Sequence, residues 1–496
     1  MVHENLKVNF TLSSRSHQYN VLLLGSIAAF ILLWRLGASS LAPWDEAIYA
    51  QVSKEMAQGE GWLTLHWSFQ PWFEKPPLLM WMTAALYRLF GISEFWARFV
   101  AAASGIGLVV TTYLLGAFAF GKRVGVLAAL ILLTCYHFVS FSRFGTMEVT
   151  LTLFAYLAIY GYLHLRDGND RWWYLIWTAV ALALLTKGAG GLIAPVVVLL
   201  ALILDQRVKS AIQSRHFWSG FLLAIVLVAP WHALMYAWYG RVFLDEYIGY
   251  HVIARATTTL EGHPSSYVYY IARIVDGFFP WVLLLPFAFI AGAKRAVKGD
   301  ASSRILVLMG TLVFGLYTIV PTRRPWYMVP VYPAFAILIA AFIVRFYESR
   351  QRLIYRRLIV FGSFILIAIA AVYCALSLSL NRKKEEPLTS LARIAKSNSA
   401  SDREPLVLLD ESEPLYAQVP LFYSDRPVRQ AYISVRPSSE DAKRYVAYEP
   451  LADLTRGSTA RIILPKKELG RLTSEYEIEI LAEVDPLVYA TIRHRD

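Results

Sequence analysis

The chain has 496 residues, 57% of them hydrophobic and 17% charged, with a net charge of +12. Its mean hydropathy is +0.45, whereas an ordinary soluble domain has roughly 45–50% apolar and about 25% charged residues. One water-soluble core cannot hold that much apolar surface, which excludes a soluble enzyme, a fibrous protein and a disordered chain and leaves a membrane protein. Cys135 and Cys374 both lie inside apolar runs, so the sequence offers neither a disulfide framework nor a cysteine metal site.

A helix of about 20 apolar residues crosses the hydrocarbon layer, and lipid-exposed backbone must satisfy its own hydrogen bonds. On that rule residues 1–19 form a polar cytoplasmic tail. Eleven spans are predicted near 20–37, 97–120, 124–141, 149–165, 172–187, 190–204, 217–236, 266–290, 304–320, 331–345 and 357–380. Small residues Ala38 and Ser40 follow the first span, but cleavage there is not expected, because it would part the spans from their first outside loop.

Orientation follows from the loops, since Lys and Arg near span ends are retained on the cytoplasmic side. With the N-terminus inside, the inner loops carry Lys122 and Arg123, then Arg166 and Arg171, then Arg207, Lys209 and Arg215. Further along they carry Lys294, Arg295, Lys298 and Arg304, then Arg345, Arg350, Arg352, Arg356 and Arg357. Counting the run 77–90 (PLLMWMTAALYRLF) as a twelfth span would put every one of these loops outside, so it is read as a helix at the interface. The basic loops also account for the positive charge without a nucleic-acid partner.

Residues 20–380 are thus a polytopic α-helical membrane domain with a long first outside loop, 38–96. The composition turns polar at NRKKEEP. Residues 381–496 carry strand-like runs at PLVLLD, VPLFYS, RQAYISV, ARIILP, YEIEILAEV and LVYATIR and a helix-like stretch at LTSLARIAK, enough for a small extramembrane α/β domain on the outside.

Ionisable groups at a membrane boundary are costly unless they have work or partners. On the outside face, Asp45 and Glu46 open an amphipathic helix; taken alone they are acids placed against a helix dipole. Glu74 and Lys75 are a compact acid and base held by Pro76 and Pro77 beside Trp72 and Trp81. Arg143 and Glu148 lie between the third and fourth spans, and Lys187 either approaches a phosphate or snorkels to the interface. The segment GRVFLDEYIGYHVIARATTTLEGHP contains His251, and PTRRPWYMVP holds Arg323 and Arg324 against the charge rule. Together these carboxylates, cations and tyrosines sit at the depth of a lipid phosphate. Arg and Lys bind phosphate through charge-assisted hydrogen bonds, and a carboxylate can take a proton from an incoming hydroxyl or amine.

The order of Asp45-Glu46 with Tyr49, Gly-Glu-Gly-Trp, Glu74-Lys75-Pro76-Pro77, Leu89-Phe90-Gly91 and Ala97-Arg98 resembles the GT-C membrane glycosyltransferases of the lipid-A aminoarabinose transferase and protein O-mannosyltransferase superfamily, glycosyltransferase family 39/83-like. RFGTMEVTLTLF, LLTKGAGGLIAP, YHVIAR and RRPWYMVPVYP fit the same pattern, over about residues 20–345. The resemblance implies an inverting sugar transfer from a polyprenyl-phosphate donor to a glycolipid, glycan or protein acceptor, on the periplasmic face of a cell inner membrane. It implies Asp45 as general base and Glu148 as the second acid. Lys75 and Arg324 would hold the donor phosphate, with Tyr49 and Tyr327 lining the phosphate or sugar pocket. Glu74 and His251 would be a metal-ligand pair, zinc being the candidate. Two positions depart from the pattern: Ile48 stands where the family often has Arg, and Glu148 where many relatives have Asp. A protein acceptor of the O-mannosyltransferase kind is one alternative. A lipid-linked sugar flippase is another, although it would be expected to carry paired broken helices or charges at mid-membrane.

Overall fold

The computed structural model describes residues 15–258, 266, 268–380, 386–398, 404–409, 415–433 and 448–495. Most of the expected cytoplasmic tail, the TLEGHP stretch and most of NRKKEEP lie outside these residues. The chain divides into two compact units, one of Met1–Trp34 with Ala101–Leu380, the other of Arg35–Val100 with Asn381–Asp496.

The first unit is helical. Among the described residues eight helical runs are long and apolar enough to cross a membrane, or nine if the bent pair Lys122–Leu133 and Tyr136–Ser142 counts as one span. Eleven were expected, and two regions account for the difference. Residues 266–290, read as one span, are broken into Tyr269–Gly277, Trp281–Leu283 and Leu285–Val297, with Pro280 and Pro286 at the breaks. Residues 172–187 and 190–204 fall in a single run, Trp172–Leu204.

That run is nonetheless not straight. Glu148 opens the preceding helix Glu148–Leu165 and pairs with Lys187 at the end of Trp172–Lys187, whereas Asp205, just past Ile193–Leu204, pairs with Arg166 at the other end of that preceding helix. The chain therefore reverses between Lys187 and Ile193. Gly191 makes the reversal tight enough that a β-carbon there would lie 2.6 Å from the backbone nitrogen of Leu184. Tyr162 donates to the same Asp205, and Arg304 also pairs with it, so this carboxylate ties three segments at one end of the bundle.

The second unit joins the long loop after the first helix to the C-terminal residues. Helix Asp45–Gln58 is followed by a hairpin of β1 (His66–Trp67) and β2 (Gln70–Pro71) and by helix Leu78–Phe90. The latter has 13 residues, roughly 20 Å at 1.5 Å per residue, short of the ~30 Å hydrocarbon layer. The hairpin turn places Ser68 and Phe69 at φ 56° and 60°, a conformation unfavourable for non-glycine residues. Glu55 offsets that cost by accepting both of their amides at 2.9 and 3.0 Å.

C-terminal strands β3 (Leu406–Leu409), β4 (Val428–Tyr432), β5 (Tyr448–Pro450), β6 (Ala460–Pro465), β7 (Tyr476–Val484) and β8 (Leu487–His494) form one mixed sheet in the order β5-β4-β3-β6-β8-β7. β5, β4, β3 and β6 pair in parallel, and β8 pairs antiparallel with β6 and β7. Every residue of β3 is buried, as a central strand covered on both faces requires. The segment VPLFYS, expected to be a strand, is instead the helix Gln418–Ser424; Pro420 is tolerated in its first turn, and burial against helix Asp45–Gln58 overrides the strand preference of Val, Phe and Tyr.

Candidate functional site

In the second unit the adjacent acids Asp45 and Glu46 have different fates. Glu46 is fully buried and meets Arg98 side-on, Nε to Oε1 at 2.7 Å and Nη2 to Oε2 at 3.0 Å. Arg98 spends its remaining donors on the carbonyls of Leu36, Ser39 and Ser40, and Glu46 also accepts the amide of Ala42 at 2.7 Å. The pair thus laces the chain between the first span and the helix. Asp45 is half-buried and has no hydrogen-bond or ion-pair partner among the described residues. Trp44 before it adopts φ 69°, ψ −136°, a sparsely populated conformation costing on the order of 1–3 kcal/mol, of the kind that clusters at functional sites.

Tyr49, one turn further along the helix, is buried edge-on against Trp72 at 6.2 Å between ring centres. Lys75 Nζ donates to the Glu74 carbonyl at 3.3 Å and lies 3.9 Å from Glu74 Oε2, so the Glu-Lys-Pro-Pro motif is a neighbouring acid–base pair with both side chains largely covered.

The far side of the same helix is clasped by C-terminal residues. Lys54, whose side chain is only 4% exposed, pairs with Asp425, donates to the Phe422 carbonyl and lies 4.9 Å from the centre of the Phe422 ring; Lys396 joins Asp425 from outside. Burial pushes the Lys54 ammonium below its ordinary value despite Asp425. Burial alone would raise the Asp425 carboxyl, but Lys54 and Lys396 outweigh it and hold that carboxyl below the usual range. Tyr423 accepts the Leu41 amide at 2.8 Å and donates to Glu94 at 3.1 Å, while Arg393 meets Glu94 at 2.5 Å.

In the first unit, Glu148 and Lys187 are 2.7 Å apart, and Lys187 Nζ sits 4.9 Å over the ring of Tyr327, which itself stacks on Tyr317 at 4.5 Å. The structure therefore brings the predicted Glu148 and Tyr327 together through Lys187. At Gly188, φ is 54° and a β-carbon would stand 2.6 Å from the Tyr247 hydroxyl, which lies 3.1 Å from His232 Nε2; only glycine fits beside the lysine. The two arginines also differ. Arg323 is buried and donates to the Thr318 carbonyl at 2.9 Å, whereas Arg324 is half-buried, its amide donating to Tyr270 and its guanidinium 5.4 Å from the Trp326 ring. Arg143 caps the first helix instead of facing Glu148, donating to the carbonyls of Ile31, Leu32 and Trp34.

His251 lies in the π-helical stretch Asp245–Ala254, edge-on to Tyr250. Among the described residues no group of three or more His, Cys, Asp and Glu side chains is placed to hold a metal ion. Zinc usually takes three or four ligands in proteins, so Glu74 and His251 alone would be an incomplete set. Sequence reasoning missed Tyr247 and Tyr317. Arg98 and the glycines at 188 and 191 stood within the motifs Ala97-Arg98 and LLTKGAGGLIAP, with no role assigned to them.

The profile described as dolichyl-phosphate-mannose-protein mannosyltransferase matches residues 74–234. The chain is 29% identical over 339 residues to the undecaprenyl phosphate-alpha-4-amino-4-deoxy-L-arabinose arabinosyl transferase of Enterobacter sp., covering 66% of this chain and 59% of that one. An uncharacterized Aquifex aeolicus protein is 29% identical over 324 residues, 65% of this chain and 63% of its own length. The chain thus spans about three fifths of these relatives. In fold it matches the crystal structure of ArnT from Cupriavidus metallidurans bound to undecaprenyl phosphate, with a TM-score of 0.77 at 20% identity over 95% of this chain and 97% of the other. The fold and the sequence profile define a membrane glycosyltransferase architecture. In fold the chain is like the GT-C glycosyltransferases, and over residues 74–234 its sequence matches one of their profiles.

Proposed function

We propose that this protein transfers a sugar from a polyprenyl-phosphate donor to an envelope acceptor, lipid A or another glycolipid or glycan, on the periplasmic side of a cell inner membrane. Its N-terminus would be cytoplasmic and its C-terminal domain periplasmic. The single observation that carries the reading is the division of labour at Asp45-Glu46: the second acid is consumed by Arg98, and the first is left without a partner among the described residues, beside a strained Trp44. The relatives' names supply the donor class and the acceptor by likeness.

In this reading Asp45 takes the proton from the acceptor hydroxyl as its oxygen attacks the anomeric carbon. The bond from that carbon to the donor phosphate oxygen breaks on the opposite face, and the anomeric centre inverts. Lys75 and Arg324 stabilise the phosphate that leaves with both bonding electrons, Arg through its planar fork and Lys as a point charge. Glu148 acts by holding the Lys187 ammonium in place beside Tyr327. Tyr49 shapes the acid-bearing helix from within. The clasp of Lys54, Asp425 and Phe422 fixes the direction in which that helix presents Asp45. A metal at Glu74 and His251 is no part of this reading.

General-base help is typically worth ~10²–10⁴-fold. Asp45→Asn should therefore lower transfer by about that factor while the protein still folds. The test compares lipid A, other envelope glycans and the polyprenyl-phosphate pool by mass spectrometry in cells carrying the wild type, Asp45→Asn, or no gene. A lost glycan mass with accumulated donor in the last two would support the proposal; full transfer by Asp45→Asn would sink it. An altered donor sidedness with every glycan intact would favour a flippase instead.

A further inference from the structure

A basic cavity lies at the end of the helical unit opposite to Glu148 and Lys187, the end the charge rule assigns to the cytoplasm. It measures about 380 Å³ and opens between the helices Leu285–Val297, Ala301–Ile319 and Tyr332–Glu348. Lys294, Arg295, Lys298 and Arg345 line it, with Asp300 the one carboxylate among the lining residues. Asp300 is already committed: it meets Arg295 at 2.6 Å, accepts the Ser302 amide at 3.2 Å and accepts the Ser303 hydroxyl at 2.8 Å. Glu348, the nearest acid in sequence to Arg345, faces Arg123 at 3.8 Å. Lys294, Lys298 and Arg345 have no carboxylate within ion-pair distance among the described residues, and all three are exposed.

Two bland causes explain part of this. Inner loops retain cations, and Lys294, Arg295 and Arg345 complement helix C-termini. Neither cause requires a concavity between three helices, nor an apolar wall running from the cations toward the membrane interior, formed by Ala291, Leu338 and Phe342. A cationic mouth over an apolar wall at the interface is complementary to a molecule with an anionic head and a hydrocarbon tail, and basic pockets between spanning helices on this side commonly hold such head groups.

We propose that this cavity binds one anionic phospholipid of the inner leaflet, its phosphate held by Lys294, Lys298 and Arg345 and its first acyl segment lying along Ala291 and Phe342. The inference does not rest on the transfer reaction and survives or fails without it.

The test is native mass spectrometry of the full-length protein in neutral detergent, titrated with dioleoyl phosphatidylglycerol and separately with dioleoyl phosphatidylcholine. Wild type should retain one phosphatidylglycerol at least ~10-fold more tightly than phosphatidylcholine. The triple change Lys294→Gln, Lys298→Gln, Arg345→Gln should erase that preference. Ala291→Phe, which fills the apolar wall and keeps every charge, should erase it too. A control triple, Lys209→Gln, Arg215→Gln, Arg350→Gln, removes equal inner-face charge elsewhere and should leave retention unchanged. Equal retention of both lipids by wild type would overturn the proposal. So would undiminished phosphatidylglycerol binding in Ala291→Phe, or a loss in the control triple as large as in the cavity triple, since either outcome means a diffuse basic surface and no site.

Discussion

Glu46–Arg98 in one unit and Glu148–Lys187 in the other are both acid–base pairs withdrawn from water, and they are finished differently. Arg98 satisfies two carboxylate oxygens and three carbonyls, so its fork is filled and the pair works as a strut. Lys187 makes one contact at 2.7 Å and otherwise faces an aromatic ring. A saturated pair stores its charge in the fold, whereas a singly bonded one keeps donors in hand for a ligand.

The comparison breaks most easily at the strut. Removing one partner of a buried pair strands the other charge and typically costs 3–5 kcal/mol. Glu46→Ala should therefore lose about that much stability, read from the thermal transition of the purified protein, and the double change Glu46→Met, Arg98→Met should recover part of it. If Glu46→Ala melts like the wild type, the pair is no strut. Lys187→Met tests the other side. It leaves Glu148 covered but costs less, about 1–3 kcal/mol, and should weaken donor binding about tenfold or more, with Lys187→Arg restoring part of the loss; a pure stability defect with unchanged KM for the donor would remove Lys187 from phosphate binding.

Smaller effects sharpen the picture at the clasp. Asp425→Asn should cost about 1–3 kcal/mol near neutral pH by leaving Lys54 buried without its counter-charge. Because the Asp425 carboxyl is held below its ordinary value of 3.8 in the fold, its stabilisation is complete above that pH and drains away as pH falls through the folded value. The melting difference between wild type and Asp425→Asn should accordingly hold above about pH 4 and shrink as pH falls below it; a constant difference would mean the carboxylate charge contributes nothing. Least of all, Glu55→Gln should change stability by about 1 kcal/mol or less, since burial already pushes the Glu55 carboxyl upward and the amide oxygen can still accept from Ser68 or Phe69.

The membrane class was legible because composition reports it directly. The partner that takes up Glu46 was not, since Arg98 lies 52 residues away. Nor was the pairing of residues 35–100 with 381–496, which depends on contacts such as Lys54 with Phe422, separated by 368 positions. Hydropathy windows read 266–290 as one span because they measure apolar length and are blind to a proline break. In VPLFYS the window was too short for its periodicity to distinguish a buried helix from a buried strand.

The reversal at Gly191 also bears on how the chain enters the bilayer. Ile193–Leu204 has 12 residues, about 18 Å of helix, which leaves a lone insertion too short for the hydrocarbon layer. With its neighbour Trp172–Lys187 folded back against it, the two can partition as one hairpin, which delivers Lys187 to the far interface at the closed end and keeps Asp205 at the near side to meet Arg166. A side chain at position 191 would then be felt during biogenesis, before any substrate is met.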